Sequence, residues 1–163
     1  MVTQKFRGGI RIKKLRPEDA LKLSCLLNSA APEYAKYFTP FSFNFKSILA
    51  ILKKAKLDRY FGVSMGRRLV GFYMLRGFDG GYTTPSYGVW IAPEYSRKGL
   101  AKLTLSHAFA FCKLHRINKL MLKVYLENAV AKKFFEKNGF VLFGADPQNN
   151  KLIYYKTFNK EKV

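Results

Sequence analysis

Negative charge is scarce in this chain. Ten Asp and Glu stand against 30 Lys and Arg, leaving a formal net charge of +20 at pH 7. A field of that sign draws anions and opposes polycations. A polyamine is therefore a poor substrate, and phosphorylated cofactors, sugar nucleotides and nucleic acid are the natural partners. The basic residues are spread along the whole sequence, so part of the charge is an ordinary solvated surface. Cysteine is nearly missing as well. Cys25 and Cys112 are too few for a disulfide framework or a four-ligand zinc site, so no metal is expected. They read as two small buried hydrophobes. No run approaches the roughly 20 apolar residues of a membrane span. The N-terminus, Met1 to Arg7, turns basic without the apolar core of a secretory signal. A cytoplasmic protein without a membrane partner is expected. Repeats, low-complexity blocks and Pro/Ser-rich linkers are missing too, so residues 1–163 are expected to form a single domain.

What is present is a foldable apolar pattern. The composition is 48% hydrophobic and 16% aromatic, too apolar for a disordered chain. Arg11 to Leu15 alternates as a first strand. Pro17-Glu18-Asp19 opens a helix running to about Ala30, because proline suits a first turn and acids favour the positive helix end. Phe38 to Phe45 is an aromatic loop, after which Asn44 or Ser47 caps a second helix. Tyr60–Ser64 and Leu69–Leu75 form a hairpin pattern around Gly66, and Ser86–Ile91 reads as the next strand. A helix from about Gly99 to Arg116, a strand over Lys119–Val124 and a helix from Asn128 to about Asn138 follow. Gly139 caps that helix, and strands from Phe140 and over Lys151–Phe158 complete the series. The order predicts a mixed α/β domain with helices covering a largely antiparallel sheet.

The segment Ile91-Ala92-Pro93-Glu94-Tyr95-Ser96-Arg97-Lys98-Gly99-Leu100-Ala101 carries the functional reading. A strand ends, a basic turn follows and a long helix begins. Helix N-termini present unpaired N–H groups and a positive dipole end, which together attract anions. Gly99 lets a phosphate approach the backbone, small Ala101 leaves room in the first turn, and Arg97 and Lys98 add charge.

This segment resembles the diphosphate-binding signature of the GNAT superfamily of N-acetyltransferases, Gln/Arg-x-x-Gly-x-Gly/Ala, with Gly99 on the first glycine and Ala101 on the final small residue. Downstream, Asn128, Ala131, Phe135, Gly139 and Phe140 keep the spacing of the family's Asn-x-x-Ala-x-x-x-Tyr-x-x-x-Gly-Phe segment. The resemblance implies a sheet splayed between its fourth and fifth strands. It also implies acetyl-CoA as cosubstrate and direct attack of an amine on the thioester. The cofactor would meet Val89, Ile91, Ser96, Arg97, Lys98, Gly99, Leu100, Ala101, Asn128 and Phe135, with an oxyanion donor from the backbone of Val89–Ile91. Two residues depart from the pattern. Ser96 replaces Gln or Arg, and Phe135 replaces the tyrosine that often protonates the departing thiolate; phenylalanine has no proton to give.

Asp79, in the glycine-rich loop before the fourth strand, is one candidate base; a turn-forming aspartate is the competing reading. Tyr125 is a candidate replacement acid, Glu127 a weaker alternative, and Glu94 a solvated surface residue. Tyr34 and Tyr37 are the candidate substrate contacts on the aromatic segment, which in the resembling family often walls the acceptor site. His107 falls at the centre of an apolar helix face and reads as a core histidine. Because of the charge, an anionic acceptor such as an amino-sugar nucleotide is favoured over a protein amine. A nucleic-acid-binding module and an acyl-CoA-binding protein without catalysis are the competing functions.

Overall fold

Strand alternation and helix capping place seven strands and five α-helices within residues 9–158, the part of the chain that the computed structural model describes. The basic stretch Met1–Arg7 lies outside these residues. In chain order they are β1 (Ile10–Lys14), α1 (Ala20–Asn28), α2 (Pro32–Ala35), α3 (Phe45–Lys54), β2 (Arg59–Met65), β3 (Arg68–Arg76), β4 (Ser86–Ile91), α4 (Leu100–Leu114), β5 (Lys119–Tyr125), α5 (Ala129–Lys137), β6 (Val141–Asp146) and β7 (Lys151–Thr157). The expected order holds, with α2 as a single added turn in the aromatic segment.

Local chemistry fixes the boundaries. Asp19 accepts from the Arg16 amide at 2.9 Å in the turn that leads into α1. Asn44, not Ser47, caps α3: its side-chain oxygen accepts from the Ser47 amide at 2.8 Å. Gly139, at φ +88°, ends α5 in the left-handed region.

The strands form one sheet in the order β1-β2-β3-β4-β5-β7-β6. Every neighbouring pair is antiparallel except β4 and β5, which run parallel and share one register pair, Ser86 with Met121. Beyond that pair the two strands separate towards their C-terminal ends, as the resemblance implied.

Helices cover both faces. Leu23, Leu27 and Ile48 of α1 and α3 pack on Val63, Phe72 and Trp90. On the other side Leu105, Ala108, Cys112 and Phe135 of α4 and α5 pack on Tyr73, Leu75, Tyr87, Leu122 and Tyr154. Cys112 is buried as expected; Cys25 is exposed, because its neighbours Leu23, Leu26 and Leu27 take the inward face of α1. His107 is half-buried against the edge of the Phe61 ring, its Nδ1 2.5 Å from the Tyr73 hydroxyl. Burial lowers its pKa and keeps it neutral, which fits the packing role. Among the described residues no helix is long and apolar enough to cross a membrane.

Candidate active site

The gap between β4 and β5 creates the site. The Met121 amide donates to the Pro85 carbonyl at 3.0 Å, so Pro85 faces β5. The Ala92 amide donates to Val70 of β3, so the even-numbered residues face β3. Backbone groups alternate along a strand. The backbones of Val89 and Ile91, beyond the Ser86–Met121 pair, therefore turn towards β5 where no strand is there to meet them. Val89 thus offers its amide and carbonyl to the slot and Ile91 its amide, the Ile91 carbonyl being taken by the Tyr34 hydroxyl.

At the open end of the slot lies the N-terminus of α4. Leu103 is the first residue to bond back into the helix, to the Gly99 carbonyl at 3.0 Å, and no side chain caps the helix. The amides before it are left for a ligand or water. Gly99 has φ +81°, and nothing lies within 4 Å of where its Cβ would be. Arg97 is also left-handed, at φ 59°. The turn is therefore shaped by two left-handed residues and opens onto free space in front of a 15-residue helix, which is what a diphosphate requires. Ser96 does not reach into that space: its hydroxyl donates to the Pro93 carbonyl at 2.7 Å and closes the preceding turn. The acid nearest this turn, Glu94, is held by Arg68 at 2.9 Å. The fully buried Leu100 anchors the first turn of α4, and Ala101 is half-buried beside it.

α5 supplies the opposite wall. The Asn128 side-chain oxygen caps the helix by accepting from the Ala131 amide at 3.2 Å. Its amide nitrogen makes no hydrogen bond among the described residues and is left to reach the slot. Phe135 is buried and meets the Tyr87 ring edge-on, with centroids 6.2 Å apart. Sequence reasoning missed Tyr87. Its hydroxyl sits 3.1 Å from Thr104, which itself donates to the Ala101 carbonyl, so Tyr87 donates to Thr104. Burial raises the Tyr87 pKa and keeps it protonated. Its signal was its place two residues before Val89, on the same strand face.

The aromatic segment closes the other side. The Tyr34 hydroxyl donates to the Ile91 carbonyl at 2.5 Å, and its ring meets Trp90 edge-on at 5.1 Å. Tyr37 packs on Tyr125 at 5.8 Å, and the Tyr125 hydroxyl is 2.7 Å from that of Thr39. These contacts tie α2 and its loop to β4 and to β5, on both sides of the slot. Beside them a solvent-open cleft of about 600 Å³ is lined by Asn28, Lys36, Phe38, Thr39, Ser42 and Phe43 among others. Trp90 packs on Phe38 and Phe43, and its indole N–H is buried without a partner among the described residues.

Of the two readings of Asp79, its contacts favour the turn-forming one. It lies in the β3–β4 connection, at the paired end of β4 and away from the opening. Its carboxylate accepts from the amides of Leu57 (2.8 Å), Lys56 (3.0 Å) and Asp58 (3.3 Å). Those bonds, led by that of Leu57, hold its pKa below the usual carboxylate value, the opposite of what a base at neutral pH needs. Asp79 is a clamp between two loops. Glu127 is likewise taken: it accepts from Asn150, which lowers its pKa.

Comparison with known proteins agrees with this geometry. The sequence model of the acetyltransferase (GNAT) family matches residues 25–140. A comparison with curated proteins gives no significant match. Among solved structures, the PaiA N-acetyltransferase of Thermoplasma acidophilum, in complex with coenzyme A, is 22% identical, with a TM-score of 0.76 over 92% of this chain and 99% of that one. The ribosomal-protein-S5-alanine acetyltransferase of Vibrio fischeri is 18% identical, with a TM-score of 0.75 over 94% and 96%. The microcin C7 self-immunity acetyltransferase, solved with acetyl-CoA and AMP, is 16% identical, with a TM-score of 0.75 over 94% and 95%. At these identities the likeness is one of fold.

Proposed function

Because this chain belongs to the GNAT acetyltransferase family, we propose that it acts as a single-domain N-acetyltransferase, moving the acetyl group of acetyl-CoA to the primary amine of an anionic small molecule or peptide. The observation that carries the cofactor reading is the uncapped N-terminus of α4 at Gly99, open in front and placed at the mouth of the β4–β5 gap. The amides of Gly99, Leu100 and Ala101 hold the diphosphate, and Arg97 and Lys98 add charge. The Asn128 amide and the Val89 and Ile91 backbones hold the pantetheine arm. Phe135 packs beside it.

The amine attacks the thioester carbonyl directly. Carbon–nitrogen bond formation gives a tetrahedral oxyanion, which accepts from a β4 amide; carbon–sulfur cleavage then releases the coenzyme A thiolate. With Asp79 and Glu127 committed elsewhere, water takes the first ammonium proton before attack, and the second leaves the nitrogen as the intermediate collapses and passes through water or a hydroxyl to the thiolate. Tyr125 is the candidate acid on the acceptor side. Tyr34 and Tyr37 shape the acceptor wall, and Lys36 on the cleft supports an anionic acceptor.

A thiol-release assay with acetyl-CoA over nucleotide-linked amino sugars, acidic and neutral peptides and polyamines tests this. Release with an anionic amine and little with a polyamine is expected. Tight acetyl-CoA binding with no release on any amine would favour the second reading, a non-catalytic acyl-CoA-binding protein, which the buried Phe135 supports.

A further inference from the structure

One sheet face, apart from Tyr125 at its end, takes no part in this. Leu120, Leu122, Val124 and Tyr154 point under α4 and α5, so the alternate residues of β5 and β7 point the other way. There α1 and α3 lie over β2–β4, and among the described residues no helix covers β5, β7 and β6, while Tyr37 and Thr39 pack on Tyr125 at the end of β5. The register gives this open face its rows: Lys119 beside Thr157; Met121, Tyr155 and Val141; Lys123, Ile153 and Gly144; Tyr125, Lys151 and Asp146. Phe143, at the β6 bulge, is 73% exposed and meets the Tyr155 ring edge-on at 5.0 Å.

The aromatic rings here come with cations. The Lys119 ammonium lies 4.9 Å from the Tyr155 centroid, Lys151 4.5 Å from that of Tyr125, and Lys36 4.7 Å from that of Tyr37 at the margin. The single acid in the rows, Asp146, is paired with Lys123 at 3.0 Å. Tyr155 and Tyr125 are four residues apart along the register, about 13 Å at strand rise. Two aromatic rings, each with an ammonium over it, lie on this antiparallel sheet, and Tyr155 with Phe143 forms the more open of the two centres.

We propose that the open face of β5, β7 and β6 binds single-stranded nucleic acid, with bases stacking on Tyr155 and Phe143 and phosphates meeting Lys119 and Lys151. Unpaired bases expose their faces to rings, and the backbone supplies the negative charge that the lysines attract. A second copy of this chain fits poorly, because it would set lysine against lysine on a protein of net charge +20. The proposal also accounts for basicity that a single cofactor site leaves unused, and it does not depend on the transferase reading.

Fluorescence anisotropy of the full chain with a labelled short oligouridylate, against an RNA duplex of equal length, tests it. The single strand should bind more tightly than the duplex. Phe143→Ala and Tyr155→Ala should each weaken it by about tenfold, the loss of one stacked base. Lys119→Ala combined with Lys151→Ala should weaken binding and flatten its salt dependence. Lys22→Ala combined with Lys113→Ala, on exposed helix surfaces elsewhere, should change it less than about twofold. Acetyl-CoA affinity should be unchanged in Phe143→Ala. Phe143 is too exposed for its truncation to unfold the sheet, so that variant reads the surface directly. Equal affinity for the duplex, an equal loss from the distant lysines, no oligonucleotide binding, or a dimer that Phe143→Ala splits into monomers would each overturn the proposal.

Discussion

Gly99 and Asp79 show how differently single residues yield to sequence reading. Gly99 was legible because its demand is local: a left-handed turn, a helix start and open space. Gly99→Glu should abolish acetyl-CoA binding, lowering affinity more than about a hundredfold by placing bulk and negative charge at the diphosphate. Gly99→Asn, which tolerates the left-handed backbone, should lose far less. Calorimetric titration of both variants checks this. For Asp79 the sequence leaves a base and a turn former both open, because the amides it accepts lie 21 to 23 residues away in sequence, and no local pattern announces such a clamp. Its lowered pKa means it contributes stability above the ordinary aspartate value of about 3.9, and that contribution fades as pH falls through the lower native value. Asp79→Asn should therefore melt earlier than the parent at pH 7, and the gap should close in acid. Acetyl transfer by the variant should stay within about twofold of the parent; a loss of several orders of magnitude would restore Asp79 as a base.

At the scale of elements, the strand series and the four longer helices follow from alternation, caps and turn glycines. The single turn α2 escaped, because four residues show no helical period. Its consequence is larger than its length. Through Tyr34 on Ile91 and Thr39 on Tyr125, the α2 segment is fastened to both strands that flank the slot. The sequence offered Tyr34, Tyr37 and Tyr125 separately; their partnership is a tertiary fact. Tyr125→Phe deletes the bond to Thr39 and should cost about 1 kcal/mol or less in stability. Loosening this fastening should raise the KM for the acceptor several-fold while leaving acetyl-CoA affinity intact. Steady-state kinetics separates this from proton donation, which would show as a fall in kcat at constant KM.

At the scale of the whole molecule, the charge acts through its field. An anionic acceptor should lose kcat/KM several-fold between about 0.05 and 0.5 M NaCl, and a neutral amine should hardly change. Equal salt dependence for both would remove the argument for an anionic acceptor. Composition showed this field but could not locate it. The register of β5, β7 and β6 puts part of it on one open face, and the loop before α4 puts another part at the mouth of the slot. On the proposed function, this mouth holds the diphosphate of acetyl-CoA. Isothermal titration of the full chain with acetyl-CoA tests it most directly. Saturable binding with a stoichiometry of about one, weakened by Gly99→Glu, is the predicted result; no heat of binding at millimolar acetyl-CoA would contradict it.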